Sequence, residues 1–385
     1  MSPGALTDPT ELAEPWNAWR ERRAPTHVIH LDAAAAGRPS FDVQRAIAHH
    51  LRRESEAGAY IAEAEAATLI DLGRRQLGVL VGVPAAGIAF VESATAALNA
   101  LLAAWPLPPQ ATIAVAPSEW GSNLRAMRMH DMRIRLLDAD PEGLIDLASL
   151  RDLVTSNPPS IVHVTASAAH RRLVQPAEAI VTICHERGVP VWLDAAQALG
   201  QIDAASAADA VYATSRKWLC GPRGVGVLGI AEPWWDQLAV EPMVLNPSAP
   251  PVARLESDEA NVAGRVGLCI AVQEYLDNDP EAIHQRLTQV ADTARDILQE
   301  VGGWHLVPSA TDAGAITALS PSHGQDVVVE RGRLLEQHRI LVTASQPQRA
   351  PHDQVGPTLR ISPHVDTTRA QLRALAAVLA EPMNG

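Results

Sequence analysis

Apolar positions recur along this chain in two alternating rhythms. Strand-like runs open 88–104 and cover 111–116, 133–137 and 160–164. They return as VPVWL at 189–193, DAVYAT at 209–214 and VGVLGI at 225–230. The run VPVWL, apolar and β-branched without polar alternation, predicts a strand buried on both faces, as in parallel sheets. Between the runs the apolar spacing is helical, predicting helices over 41–57 and 62–80, one completing 88–104, and one after each of the strands at 133–137 and 160–164. Ser93 sits at a strand-to-helix junction, where a hydroxyl caps the first turn. Residues 240–260 are proline-rich and aperiodic, a linker. Two long helices follow over 261–302. The last third alternates HLVPS, AGAITALS, ILVTAS and TLRIS with helices over 325–338 and 367–380, a small α/β unit. Near the start, LAEPWNAWRERR predicts a short helix with Trp16 and Trp19 on one patch. The expectation is an α/β protein: an N-terminal segment 1–27 packing on the small domain or cleft, a large domain 28–260 and a small C-terminal domain 261–385.

Composition narrows the classes. The 385 residues carry a net charge of −13, which argues against nucleic acid or an anionic membrane as partner. No apolar run is long enough to span a bilayer, and the N-terminus lacks a basic-then-apolar secretory signal, so a cytoplasmic protein is expected. Cys184, Cys220 and Cys269 have neither metal nor disulfide spacing, and no metal is expected. Nine Trp against three Tyr and two Phe exceed what a core needs, so some are candidates to face a ligand and the rest to fill the core.

One count changes the picture. Lysine occurs once, at 217; every other member of the 31 Lys and Arg residues is arginine. Drift explains why lysine is rare but not why one remains. Guanidinium stays protonated, so a site that needs a neutral amine cannot use arginine, and a Schiff base to a carbonyl cofactor needs such an amine. The neighbours agree. The strand VPVWL ends in Asp194, followed by Gln197, at the strand end where open α/β sheets bind ligands. The strand DAVYAT runs into Thr214, Ser215, Arg216 and Lys217, and a glycine-rich turn, Gly221 to Gly226, follows. Helix-start N–H groups at Ala94 and Thr95 favour phosphate. Pyridoxal phosphate requires a lysine, an acid for its ring nitrogen and a phosphate cup. A lone strand-end aspartate is ordinarily a cap; here the grouping is the signal.

The pattern Asp194-x-x-Gln197, Asp209 before a strand ending at Thr214, Arg216-Lys217 and Gly221 to Gly226 resembles the fold-type I, class V aminotransferase family, which contains the cysteine desulfurases. The resemblance runs from residue 28 to 380. It implies pyridoxal phosphate, a large domain with a mostly parallel seven-stranded sheet, a homodimer and a small amino-acid substrate. It implies that Lys217 binds the cofactor and moves the Cα proton, that Asp194 keeps the pyridine nitrogen protonated, and that Gln197 meets the phenolic oxygen. Ala94 and Thr95 become the phosphate cup, with Arg216 supplying a further phosphate contact, Thr214 and Ser215 other cofactor contacts, Trp120 the ring-stacking group, and Arg360 the clamp on the substrate carboxylate. The loop holding Ala34 falls at the site entrance, although an ordinary strand-to-helix connection explains it equally well. Tyr60 and His170 are candidate substrate contacts.

The departures are specific. Ser-Ala-Thr at 93–95 replaces Gly-Thr-Thr. Arg216 replaces a histidine. Trp120-Gly121 replaces the stacking histidine, one residue out of register. In the segment that sends a threonine to the partner subunit's phosphate, Arg254, Glu256 and Asn261 match, but Glu259 stands at the threonine position. The loop 343–356, where desulfurases keep a nucleophilic cysteine, has none. That loss favours direct β-elimination. Within the family the chain is similar to the C–S lyases that cleave hercynylcysteine sulfoxide. A general cysteine-conjugate lyase, an epimerase, an aminotransferase, a cysteine desulfurase and a non-catalytic scaffold are the alternatives.

Overall fold

The computed structural model describes residues 12, 14–241, 246, 248–309 and 311–381. The chain enters through α1 (Trp16–Glu21) and β1 (Ile29–His30), then α2 (Phe41–Ala57) and α3 (Ala59–Val81). The second of these helices begins earlier than its periodicity predicts. Gly58, at φ 97°, lets the chain turn within one residue, so α2 ends and α3 starts on either side of it.

The large unit then alternates. It contains β2 (Ile88–Val91), α4 (Ala94–Ala104), β3 (Thr112–Val115), α5 (Gly121–Met129), β4 (Arg133–Leu136), α6 (Leu147–Ser156), β5 (Ile161–Thr165), α7 (Ala177–His185), β6 (Val191–Asp194), β7 (Ala210–Thr214) and β8 (Gly226–Ile230). These strands form one seven-stranded sheet in the order β2-β8-β7-β6-β5-β3-β4. It is parallel except for β8, which runs antiparallel to both neighbours. Side chains alternate across it. Val191 and Leu193 of β6 join Leu77 and Val164 in the layer under α3, while Trp192 packs with Leu101, Ile113 and Leu124 under α4 and α5. Both faces are covered, which is why the runs read as continuously apolar. Edge strand β4 is the exception, with Arg133, Arg135 and Leu136 exposed.

The C-terminal part holds α8 (Val262–Asp277), α9 (Pro280–Leu298), β9 (Trp304–Leu306), β10 (Thr317–Pro321), α10 (Val327–His338), β11 (Ile340–Leu341), β12 (Thr343–Ser345), β13 (Thr358–Ile361) and α11 (Arg369–Leu379). An antiparallel sheet, β12-β13-β10-β9, carries its core. The run ILVTAS is two strands, not one: β11 pairs in parallel with β1, and β12 joins the small sheet. Packing also crosses residue 260. Ile29 and Leu31 belong to the C-terminal cluster with Leu319, Leu334 and Leu359, and α8 packs on α2 and α3. At the other end, α1 docks on the loop before α11. Trp19 stacks on His364 with ring centres 5.4 Å apart, and Arg20 donates to the Asp366 carbonyl. Residues 1–11 of the expected N-terminal segment lie outside the described residues. No helix among the described residues is long and apolar enough to cross a membrane.

Candidate active site

Because β5, β6 and β7 are parallel, their last residues, Thr165, Asp194 and Thr214, emerge on one edge of the sheet. The loops after β2 and β3 bring Thr95 and Trp120 to the same edge, and the C-terminal unit adds Arg349 and Arg360. Together with Ala34, Ala94, Asn123, Gln197, Arg216 and Lys217 they line a cavity of about 390 Å³, a size suited to a small ligand.

Asp194 lies at its floor, held from several directions. The Ala196 N–H donates to Oδ1 at 2.8 Å and Asn123 donates to Oδ2 at 2.7 Å. Behind it runs a buried chain of polar groups. Glu119 Oε2 meets His163 Nδ1 at 2.8 Å, and His163 Nε2 meets the Tyr212 hydroxyl at 2.8 Å. Glu119 Oε1 also accepts from Asn123, Thr165 and the Trp120 N–H. Burial opposes charge on His163, but Glu119 overrides it and holds the imidazole toward its charged form. Burial and then Glu119 push the Asp194 carboxyl up, while Lys217 and His163 pull it back. Sequence reading missed Glu119, Asn123, His163 and Tyr212. The only signal was a run of polar residues, SEWGSN, directly after an apolar strand.

Lys217 lines the same cavity as Asp194 and feels its charge. Removal from bulk water pushes its amine down to about 7, against the pull of Asp194, and Arg216, Arg360 and Arg349 add to the depression. The small-residue loop at 33–37 fits closely here. Gly37 donates its N–H to the Arg216 carbonyl at 2.7 Å, and a Cβ at Gly37 would collide with the Lys217 carbonyl. Gln197 is locked from both ends: it donates to the Ala34 carbonyl at 3.0 Å and accepts from the Trp218 indole at 2.8 Å. Ser93 caps α4 by accepting from the Ala96 N–H, and the Ala94 and Thr95 N–H groups have no acceptor among the described residues. Arg360 is buried. It donates to the Ala169 carbonyl at 2.8 Å, to Asp32 at 3.1 Å and to Thr343 at 3.2 Å, and its Nε has no partner among the described residues.

Three expected contacts lie elsewhere. Ser215 turns away from the cavity, and its hydroxyl donates to the Pro222 carbonyl. Tyr60, 72 % exposed at the start of α3, is on no wall of this cavity. His170 is buried and bonded to Asp353 at 2.5 Å, bracing a loop rather than facing the cavity. In the 254–261 segment, Glu256 accepts from Arg74, Arg265 and the Phe90 N–H, and Asn261 caps α8.

A family model described as aminotransferase class-V matches residues 29–375. The chain belongs to the class V aminotransferase family. It is an enzyme of that family, and its cofactor is pyridoxal phosphate. Among curated relatives, a protein of Mycobacterium tuberculosis (strain CDC 1551 / Oshkosh) named "Probable hercynylcysteine sulfoxide lyase" is 40% identical over 364 residues, 94% of this chain and 92% of the relative. The cysteine desulfurase CsdA from Escherichia coli, solved with an S-sulfonic acid, superposes with a TM-score of 0.81 at 19% identity over 95% of this chain and 98% of that one. A C-DES mutant with glycine covalently linked to its PLP cofactor gives 0.79 at 17% identity, covering 92% and 96%. These two likenesses carry the fold.

The residues present fit the cofactor. The cavity offers one amine with a lowered pKa, a buried carboxylate, and unpaired amides with a nearby arginine for a phosphate.

Proposed function

We propose that this enzyme is a carbon–sulfur lyase that cleaves hercynylcysteine sulfoxide by β-elimination. The observation that carries the reading is a cavity with an amine, an acid and three arginines but no thiol among its described lining residues. Cys184 and Cys269 lie in α7 and α8, and burial pushes both thiols up to about 12. Cys220 is buried against His364, its sulfur 3.6 Å from Nε2. A reaction that needs no protein nucleophile suits this site, and the name of the near full-length relative supports hercynylcysteine sulfoxide as the substrate.

Bound pyridoxal phosphate supplies an electron sink for the Cα electron pair. The protein's share follows from its geometry. Arg360, with Nε free, takes the substrate carboxylate as a charge-assisted donor. Lys217, whose amine burial pushes toward its neutral form, removes the Cα proton. Asp194, oriented by Ala196 and Asn123, holds its charge toward the ring nitrogen. Arg216 and the start of α4 hold the phosphate. The C–S bond then breaks with its electron pair leaving on sulfur as a sulfenate, and the three-carbon fragment departs as 2-aminoacrylate, which hydrolyses to pyruvate and ammonia. A sulfenic acid is two electrons more oxidised than the thiol, so release as ergothioneine consumes two equivalents of an external thiol.

The test is a panel of S-substituted cysteines and their sulfoxides assayed for pyruvate. The trimethylated conjugate should show the highest kcat/KM, above the same sulfoxide with an unmethylated amine. Equal rates on simple S-alkyl cysteine sulfoxides would make the enzyme a general cysteine-conjugate lyase instead.

A further inference from the structure

The loop that lacks a cysteine carries an arginine into the cavity. A short 3-10 turn, Pro347–Arg349, crosses the start of α5, and Arg349 lines the cavity beside Arg360 and Trp120. The turn is fixed on both sides. At Gly121 a side chain would overlap the Gln348 carbonyl, so glycine is what lets the turn sit there. Beyond it, Asp353 accepts from Arg171 Nε at 2.8 Å and Nη2 at 2.9 Å and bonds to His170 at 2.5 Å. Gln354 donates to the Ser345 and Gly356 carbonyls, both at 3.0 Å.

The guanidinium held this way lies over Trp120, 5.6 Å from the ring centre, and donates to no acceptor among the described residues. That is unlike Arg360, which is committed to Ala169, Asp32 and Thr343. Arg349's charge is also uncomfortable: burial first, then Arg360, push its pKa down to about 10, against Asp32. A partly buried cation with free donors favours an anion arriving with the substrate.

We infer that Arg349 receives the sulfoxide oxygen and stabilises the sulfenate leaving group. The inference rests on the lyase reading above. Arg349 acts electrostatically on both the Lys217 amine and Arg360. A donor close to the group that takes the Cα proton and to the group that holds the carboxylate meets atoms attached to Cβ. As the C–S bond breaks, its electron pair passes to sulfur and the attached oxygen goes from a sulfoxide dipole to a full negative charge. Arg349 keeps its proton throughout, and departure needs none. Because the charge develops in the transition state, the interaction favours turnover more than binding.

The test compares holoenzyme wild type, Arg349→Gln and Arg349→Lys on hercynylcysteine sulfoxide, on its analogue without the distal carboxylate, and on β-chloroalanine, whose leaving group has no oxygen. The inference predicts that Arg349→Gln lowers kcat on both sulfoxides by about a hundredfold, with KM and β-chloroalanine turnover moving only a few-fold. Arg349→Lys should recover part of the loss. Benzenesulfinate, a stable mimic of the leaving group, should bind Arg349→Gln at least about tenfold more weakly than wild type by calorimetry, with L-alanine binding unchanged. Equal loss on β-chloroalanine would make Arg349 a structural or carboxylate-holding residue and overturn the inference. So would loss confined to the substrate with the distal carboxylate. If wild type releases pyruvate from β-chloroalanine but from no sulfoxide, the lyase reading fails, and the sulfinate contrast alone then decides whether Arg349 is an S–O receptor.

Discussion

Lys217 attacks the cofactor's aldehyde only as a neutral amine, so the pH dependence of cofactor uptake reads out the electrostatics of the whole cavity. An ordinary lysine, with a pKa of 10.5, is neutral in roughly three molecules in ten thousand at pH 7. With its amine pushed down to about 7, roughly half of the Lys217 molecules are neutral there, more than a thousandfold gain in reactive form. Protein freed of cofactor and mixed with pyridoxal phosphate in a stopped-flow absorbance experiment should therefore take it up with a rate that rises through a midpoint near pH 7, once the free cofactor's own titration is corrected against a model amine. The sign extends to stability. Between pH 7 and 10.5 the unfolded chain holds a proton that the folded chain has released, so the cofactor-free protein gains stability as pH rises through that window. Arg216 is one of the charges depressing the amine, so Arg216→Gln should move the uptake midpoint upward. A wild-type midpoint at or above pH 9, or one that Arg216→Gln does not raise, would refute the account of the cavity.

Further outcomes follow from the same geometry. Replacing Cys184, Cys220 and Cys269 together by Ala should leave kcat within about tenfold of wild type in a folded protein; a loss above about a hundredfold, ~2.7 kcal/mol, would restore a thiol nucleophile. Asp353→Asn removes the carboxylate that Arg171 and His170 share, and should cost about 1.5–3 kcal/mol in denaturant unfolding, with a lower kcat because Arg349 loses its brace. An unchanged stability and kcat would show that the loop does not depend on Asp353. Sedimentation should find a homodimer, as the retained Arg254, Glu256 and Asn261 suggest; a fully active monomer would rule that out.

Most of the frame was legible in the sequence because the large sheet is covered on both faces. IAFV, VWL and AVYA are runs without charge, and their ends therefore mark the ligand-binding edge. Asp194 stood out as a charged residue at the end of such a run, and Lys217 as the chain's single lysine. What was not legible depends on contacts distant in sequence. The split of ILVTAS follows from β1, three hundred residues earlier, claiming Ile340 and Leu341 as its partner. Glu119 and His163 look like ordinary polar residues until β5 and the loop after β3 place them 2.8 Å apart. Ser215 and Thr214 are adjacent hydroxyls that sequence treats alike, but β7 ends between them, so one faces the cavity and the other the Pro222 turn. Arg349 was one arginine among many, and only its place over Trp120 without an acceptor singles it out.

The claim at the centre of this account is the reaction type, an elimination driven by Lys217 with no thiol from the protein. The most direct measurement is stoichiometry: holoenzyme incubated with hercynylcysteine sulfoxide and an excess of a simple thiol, without any keto acid, with pyruvate, ammonia and the sulfur-bearing product quantified together. The account predicts equal amounts of all three from wild type and none from Lys217→Ala. Turnover that requires an added keto acid, that returns only an epimerised substrate, or that leaves sulfur on a protein cysteine would contradict it.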